Sequence, residues 1–342
     1  MSLQAGPASL TASGEWLRVM AEAKRVFVLG GSGTIGRASV RALVAQGHHV
    51  VCFLRNLEAA QHPYLAGAEL RFGNVLDRAS IDRDGLRGEA FDAVVSCLAS
   101  RTGVARDAWA VDYEAHAQML QLAQSTGIPQ MVLLSAICVQ KPLLAFQHAK
   151  LAFETELISS GLTYSIVRPT AFFKSLSGQV ERVRAGKAFL IFGDGRGTAC
   201  KPISDGDLAA YLVSCLCDET KWNKILPIGG PGAAITPREQ GEILFAALGR
   251  APKFRSVPLA LLSAIRALLS VLGYFNKTLV DKAELAAIGH YYASESMLVL
   301  DPKTGKYDAD ATPSTGEDRL ADHYLRLLRC EIADDRGDHA VF

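Results

Sequence analysis

The chain carries almost no excess charge, with 36 lysines and arginines against 35 aspartates and glutamates. That balance excludes the basic stripe with which a protein neutralises nucleic-acid phosphates, so no nucleic-acid partner is expected. Organised cysteine is missing as well. Cys52, Cys97, Cys138, Cys200, Cys215, Cys217 and Cys330 are scattered, several inside apolar runs where a thiol acts as a small hydrophobe. Their spacing matches no zinc site, disulfide framework or iron–sulfur ligation, so no metal is expected and a reducing compartment fits. The first residues lack the basic region and apolar core of a signal peptide, which sets a cytoplasmic expectation. No internal repeat is present. At 342 residues the chain is long enough for one large α/β domain and a smaller appendage.

The most informative stretch is Arg25-Val-Phe-Val-Leu-Gly-Gly-Ser-Gly-Thr-Ile-Gly36. Val26 to Leu29 is the short apolar run of a buried parallel strand. Gly30, Gly33 and Gly36 follow in G-x-x-G-x-x-G spacing, a relative of the dinucleotide fingerprint. Gly30 permits a sharp turn, Gly33 lets backbone N–H groups approach a diphosphate, and Gly36 allows close helix–strand packing. Ser32, Thr34 and Ile35 complete the loop. A tight strand–helix turn with no ligand is the alternative. The context favours a cofactor: a helix over 37–46 follows, Gly47 ends it, and His49 to Leu54 reads as a second strand.

In dinucleotide folds an acid at the end of that second strand accepts hydrogen bonds from a free ribose 2′-hydroxyl. Here the position holds Arg55. A cation suits a 2′-phosphate, so NADPH is expected over NADH, with a solvated strand-end arginine as the alternative. Glu69 to Asp77 reads as a third strand and its exit, with Asn74 and Val75 set to meet the adenine. Phe91 to Ala99 is a fourth, whose end at Cys97, Leu98 and Ala99 lets a cofactor lie against the backbone. A helix is expected over 108–125, with Trp109 and Tyr113 in the core, and a fifth strand over 130–137 carrying Ser135. Strands alternating with helices imply right-handed crossovers, a parallel sheet, and ligands beyond the strands' carboxyl ends. The fold class expected is α/β: a Rossmann-type doubly wound parallel sheet with a smaller C-terminal α/β substrate region. The division expected is a flexible 1–23 (with a short helix over 14–23), a dinucleotide-binding domain 24–170, a substrate region 171–330 interleaved with the last Rossmann elements, and a flexible tail 331–342.

Ser135 followed by Phe146-Gln-His-Ala-Lys150 resembles the short-chain dehydrogenase/reductase superfamily, in which a serine and Y-x-x-x-K form the active centre. Tyrosine and lysine four apart share a helix face, so the lysine holds the nicotinamide ribose and lowers the tyrosine pKa. Phe146 stands where the tyrosine belongs and cannot exchange a proton, so the chain is similar to an atypical member in which Lys150 is retained. Ser135 to Pro142, Tyr164 to Leu176, Phe192 to Gly195, Cys200 to Ser204, Gly289 to Ala293, Glu295 to Leu298 and Asp301-Pro302 together resemble the divinyl chlorophyllide 8-vinyl reductases, over roughly residues 24–329. The resemblance implies an enzyme of chlorophyll or bacteriochlorophyll biosynthesis that uses NADPH to reduce the 8-vinyl group of divinyl chlorophyllide or divinyl protochlorophyllide to ethyl. A vinyl group conjugated to a macrocycle accepts hydride at its terminal carbon, so a tyrosine acid is not obligatory. On this resemblance Lys150 orients the nicotinamide ribose, and Ser135, Pro169 and Thr170 lie along the cofactor. Lacking a Ser- and Arg-rich transit segment, the chain is expected to be bacterial. A non-catalytic NADP(H)-sensing regulator or assembly factor on the same fold is the alternative that the missing tyrosine suggests.

Phe146, Phe172 and Phe173 are candidates for an apolar wall against the macrocycle, and Lys174 for a partner of its propionate carboxylate. Core packing for Phe172 and Phe173, and a solvated face for Lys174, are the alternatives. Phe189 to Phe192 before Gly-Asp-Gly reads as a strand and hairpin turn. Ser204 and Thr236 are expected helix caps, and Thr315-x-x-Asp318 resembles a capping box before an apolar face at Leu320, Tyr324, Leu327 and Leu328. The stretch 257–275 is the most hydrophobic in the chain, but Arg266 at its centre argues against a span. A buried or lid helix is expected, with peripheral contact at a photosynthetic membrane compatible with it.

Overall fold

The computed structural model describes residues 23–55, 63–273 and 277–333. The expected helix over 14–23 and nearly all of the tail lie outside them. Seven strands form the central sheet: β1 (Arg25–Leu29), β2 (His49–Leu54), β3 (Glu69–Phe72), β4 (Ala93–Ser96), β5 (Gln130–Leu134), β6 (Thr163–Pro169) and β8 (Lys224–Ile228). Their order is β3-β2-β1-β4-β5-β6-β8, with every neighbouring pair parallel. This is the doubly wound Rossmann order, whose direction of growth reverses between β1 and β4.

The period-2 geometry of the strands builds the main core on both faces of the sheet. On β1, Val26 and Val28 face the layer of α1 (Thr34–Ala45) and α4 (Asp205–Ser214), joined by Val50, Cys52 and Leu54 of β2. Phe27 and Leu29 face the opposite layer with Val51 and Phe53, against Met119 of α2 (Ala115–Thr126) and Phe153 of α3 (Ala145–Ser159). Both faces of the sheet are covered, which is why its strands read as continuous apolar runs.

Three expectations about local structure are corrected. The helix expected over 108–125 is broken: a short turn at Ala105–Ala108 leads into a π-helical turn at Trp109–Glu114 before α2 begins. The π turn inserts a residue and re-aims the side chains around it, which brings Asp112 inward. The strand expected to reach residue 137 stops at Leu134, and Ile137–Gln140 winds as a 3₁₀ turn. The hairpin expected after Phe192 is absent, because β7 (Phe189–Phe192) pairs in parallel with β9 (Phe254–Val257).

That pair forms part of a second core with α5 (Pro237–Ala247) and α8 (Leu320–Leu328), built on Phe189, Ile191, Leu244, Phe245, Leu320 and Tyr324. The two expected caps are present. The Ser204 and Thr236 hydroxyls accept from the amides of Asp207 and Glu239, and Glu239 returns the bond to Thr236. The capping box at Thr315–Asp318 is not formed. Asp318 instead accepts from the Ser204 hydroxyl at 2.6 Å, which ties the entry of α8 to the entry of α4. The hydrophobic stretch folds as α6 (Leu259–Gly273), followed by α7 (Lys277–Ser294), and no helix among the described residues is long and apolar enough to cross a membrane.

Candidate active site

The glycine loop is tight where the chain must pack and open where a ligand would lie. Gly30 has φ +74°, and a Cβ on it would lie 2.5 Å from the backbone of Cys97 and Leu98. A Cβ on Gly36 would meet the Gly30 carbonyl oxygen at 2.1 Å. Gly33, at the N-cap of α1, meets nothing nearer than 3.6 Å and is exposed together with Ser32. These residues therefore form an exposed cradle at a helix N-terminus, with the Gly33 amide turned back to Gly30 O at 3.2 Å and the first amides of α1 lacking intrahelical partners, which fits the diphosphate of a dinucleotide. Gly31, which the fingerprint does not single out, is as constrained as its neighbours: a Cβ there would lie 2.2 Å from Cys52 Sγ. Ile35 is buried in the core.

The remaining cofactor candidates lie along the carboxyl ends of the strands. Arg55 follows β2 and is exposed. Asn74 is exposed, and its carboxamide accepts from the Leu76 amide at 3.0 Å, while Val75 is largely in the core. After β4, Cys97 and Leu98 are half-buried and Ala99 is exposed, with the Cys97 amide bonded to Leu29 O at 2.9 Å. Burial pushes the Cys97 thiol up to about 11, so it is an uncharged neighbour of the loop. Pro169 and Thr170 end β6 and are buried, and the Thr170 hydroxyl donates to Lys201 O.

At the centre of the sheet, Lys150 Nζ lies 2.9 Å from Asp112 Oδ1, with the two side chains 11% and 0% exposed. The Ser100 hydroxyl and amide also donate to the Asp112 carboxylate, at 2.6 and 3.3 Å. Lys150 is thus held from α3 by an acid on the π turn. Beneath it, His116 sits between the Ser96 hydroxyl (2.8 Å) and Val111 O (2.9 Å). Burial, reinforced by the Lys150 ammonium, lowers His116 to about 4, so the imidazole is neutral near pH 7. Asp112, His116, Lys150 and Ser135 line one small cleft. Asp112 and His116 were missed by the sequence reading, which placed this helix in the core.

Ser135 does not present its hydroxyl to that cleft as the reactive serine of the superfamily would. The hydroxyl donates to Glu154 at 2.5 Å, and Glu154 is buried against Arg168. Phe146 is 8% exposed and packs with Cys138, Leu144, Ala287, Ile288 and Tyr291, so α7 covers the position where a tyrosine acid would act.

One substrate assignment is corrected, and a second residue makes a contact that the sequence reading did not anticipate. Phe173 is not part of a wall facing a ligand: it is buried in the second core, with its ring 5.4 Å from that of His323. Lys174 reaches the glycine loop. Its ammonium donates to the Thr34 hydroxyl at the first residue of α1, and it lies 5.7 Å from the centre of the Phe172 ring. Phe172 is half-buried and packs against the core on the α1 face of the sheet.

Comparison with known proteins agrees with the fold. Residues 30–219 match the family model described as NAD(P)H-binding. The divinyl chlorophyllide a 8-vinyl-reductase, chloroplastic, of Cucumis sativus is 48% identical over 332 residues, covering 93% of this chain and 79% of its own length. Its namesake from Oryza sativa subsp. indica is 49% identical over 331 residues, covering 93% and 82%. An NADPH-dependent quinone oxidoreductase (QOR2) from Escherichia coli superposes with a TM-score of 0.64 at 18% identity, over 89% of this chain and 99% of its own, a likeness of fold. The expectation of a bacterial, cytoplasmic protein is overturned, since these plant relatives are chloroplast proteins.

Proposed function

The chain belongs to the divinyl chlorophyllide a 8-vinyl-reductase family within the NAD(P)H-binding proteins, and from that premise we propose that it is an NADPH-dependent oxidoreductase converting the 8-vinyl group of divinyl chlorophyllide a, or of divinyl protochlorophyllide a, to ethyl. The observation that carries the reading is the open glycine cradle on the ligand edge of the sheet together with a lysine anchored by Asp112, in a centre that has no tyrosine at Phe146. Residues 24–170 serve the cofactor, and 171–330, interleaved with the last Rossmann elements, serve the substrate apart from Lys174. Bound NADPH supplies the hydride. Ser32, Gly33 and the first amides of α1 receive the diphosphate, and Lys174 adds a positive charge there. Arg55 meets the 2′-phosphate, Asn74 and Val75 border the adenine, and Cys97, Leu98 and Ala99 run along the cofactor. Pro169 and Thr170 close its nicotinamide end, and Lys150 binds the nicotinamide ribose. Phe172 offers an apolar face to the macrocycle.

The loss of the superfamily's tyrosine suits this substrate. A carbonyl oxygen needs a proton as hydride arrives, whereas a conjugated vinyl group disperses the negative charge into the ring. The purified protein with NADPH and divinyl chlorophyllide a is expected to yield the 8-ethyl product, followed by absorbance and chromatography. NADPH binding with no ethyl product would instead favour a non-catalytic sensor.

Two substitutions test the cofactor assignments. Arg55→Asp is expected to lower the ratio of kcat/KM for NADPH over NADH by about tenfold or more, the worth of a charge-assisted hydrogen bond of roughly 1.5–3 kcal/mol; an unchanged ratio would make Arg55 a solvated strand end. Lys174→Gln is expected to weaken NADPH binding about tenfold in a fluorescence titration, on the same magnitude. Unchanged cofactor affinity with a raised KM for the tetrapyrrole would return Lys174 to the substrate.

A further inference from the structure

Reduction of a vinyl group consumes a proton as well as a hydride, and the residue at Phe146 cannot give one. The polar groups surrounding that position are mostly committed. Ser135 donates to Glu154, and the Tyr113 hydroxyl donates to Glu156. His116 is neutral and buried between two hydrogen-bond partners. Asp112 accepts from Ser100 and Lys150. The Tyr291 hydroxyl faces two backbone carbonyls, Cys138 O at 2.8 Å and Lys141 O at 3.1 Å.

Tyr292 differs from all of them. It stands on α7, the helix that covers Phe146, and although the residue as a whole is 38% exposed, burial of its phenol beside Cys138 holds it protonated, well above the usual tyrosine range. Its hydroxyl lies 3.9 Å from Cys138 Sγ, a weak hydrogen-bonding partner. Cys138 sits on the turn just beyond β5, at the ligand-bearing end of the sheet. Burial raises the pKa of its thiol, with the Lys150 ammonium acting weakly the other way. The phenol therefore enters the same neighbourhood that a tyrosine at 146 would occupy, delivered from the C-terminal region instead of from α3.

We propose that Tyr292 is the catalytic acid that protonates the substrate after hydride addition, an assignment that rests on the vinyl-reductase reading. The vinyl π bond breaks as hydride bonds to the terminal carbon, NADPH becoming NADP⁺. The electron pair, dispersed in the macrocycle, then takes the Tyr292 phenolic proton at the internal carbon. The tyrosinate recovers its proton from water before the next turnover.

The test uses the full chain with NADPH and divinyl chlorophyllide a. Tyr292→Phe is expected to lower kcat about a hundredfold or more, in the range for a positioned acid, with the NADPH dissociation constant unchanged. Incorporating 3,5-difluorotyrosine at 292 keeps the shape and acidifies the phenol, so the alkaline limb of the kcat–pH profile is expected to move to lower pH. A Tyr292→Phe protein within twofold of the parent, or a fluorotyrosine protein with an unmoved limb, would overturn the proposal. Absence of ethyl product from the unsubstituted protein would instead overturn the vinyl-reductase reading itself.

Discussion

Lys150→Met is expected to reduce vinyl reduction by about a hundredfold or more, because a misplaced nicotinamide loses the alignment that hydride transfer requires. The same change leaves the Asp112 carboxylate buried without its cation. Breaking a buried pair from one side costs about 3–5 kcal/mol, so the single variant is also expected to be markedly less stable. The two effects separate in the double variant Asp112→Asn, Lys150→Met. Removing both charges should recover most of the stability, while activity stays low. Thermal unfolding and steady-state kinetics on the four proteins of the cycle give the coupling directly. Recovery of activity together with stability would show that Lys150 acts only as a structural cation.

Gly36→Ala is expected to be among the most damaging single methyl additions in the chain. The new Cβ would lie 2.1 Å from Gly30 O and 2.8 Å from Gly30 C, both backbone atoms that no rotamer change can move. Overpacking of this kind costs roughly 3 kcal/mol or more, a fall in Tm of several degrees for a chain of this size. Gly33→Ala is the informative contrast. Its Cβ meets no protein atom within 3.4 Å, so the apoprotein should melt close to the parent while NADPH affinity falls at least tenfold, because the methyl group occupies the face offered to the diphosphate. Equal Tm for all three proteins, or unchanged NADPH affinity in Gly33→Ala, would contradict the reading of the loop.

The contrast between these two glycines also indicates how much the sequence reveals. Glycine spacing after an apolar run marks the loop, since few other residues tolerate that backbone path, and alternating strands and helices lead to the parallel sheet and its ligand edge. What escaped depends on contacts between distant residues. Asp112 reaches Lys150 because one extra residue in a π turn rotates it inward, and a phase shift of about 100° within a six-residue turn is too local for a helical periodicity to reveal. The Phe189–Phe192 strand looked like half of a hairpin because its parallel partner begins only at Phe254. Phe173 and Lys174 are adjacent, yet one enters the second core and the other reaches Thr34, a divergence set by the short helix at Phe173–Leu176 and not by residue type. Phe146, by contrast, was legible at once, because absence of a hydroxyl is a fact of composition.

Transfer of label tests the central claim most directly. The full chain would be incubated with divinyl chlorophyllide a and NADPH deuterated at C4 on one face or the other, and the product examined by mass spectrometry and NMR. The account predicts an 8-ethyl product carrying one deuterium on its terminal carbon from one of the two labelled cofactors. An ethyl product with no deuterium from either cofactor, or bound NADPH with no ethyl product, would contradict it.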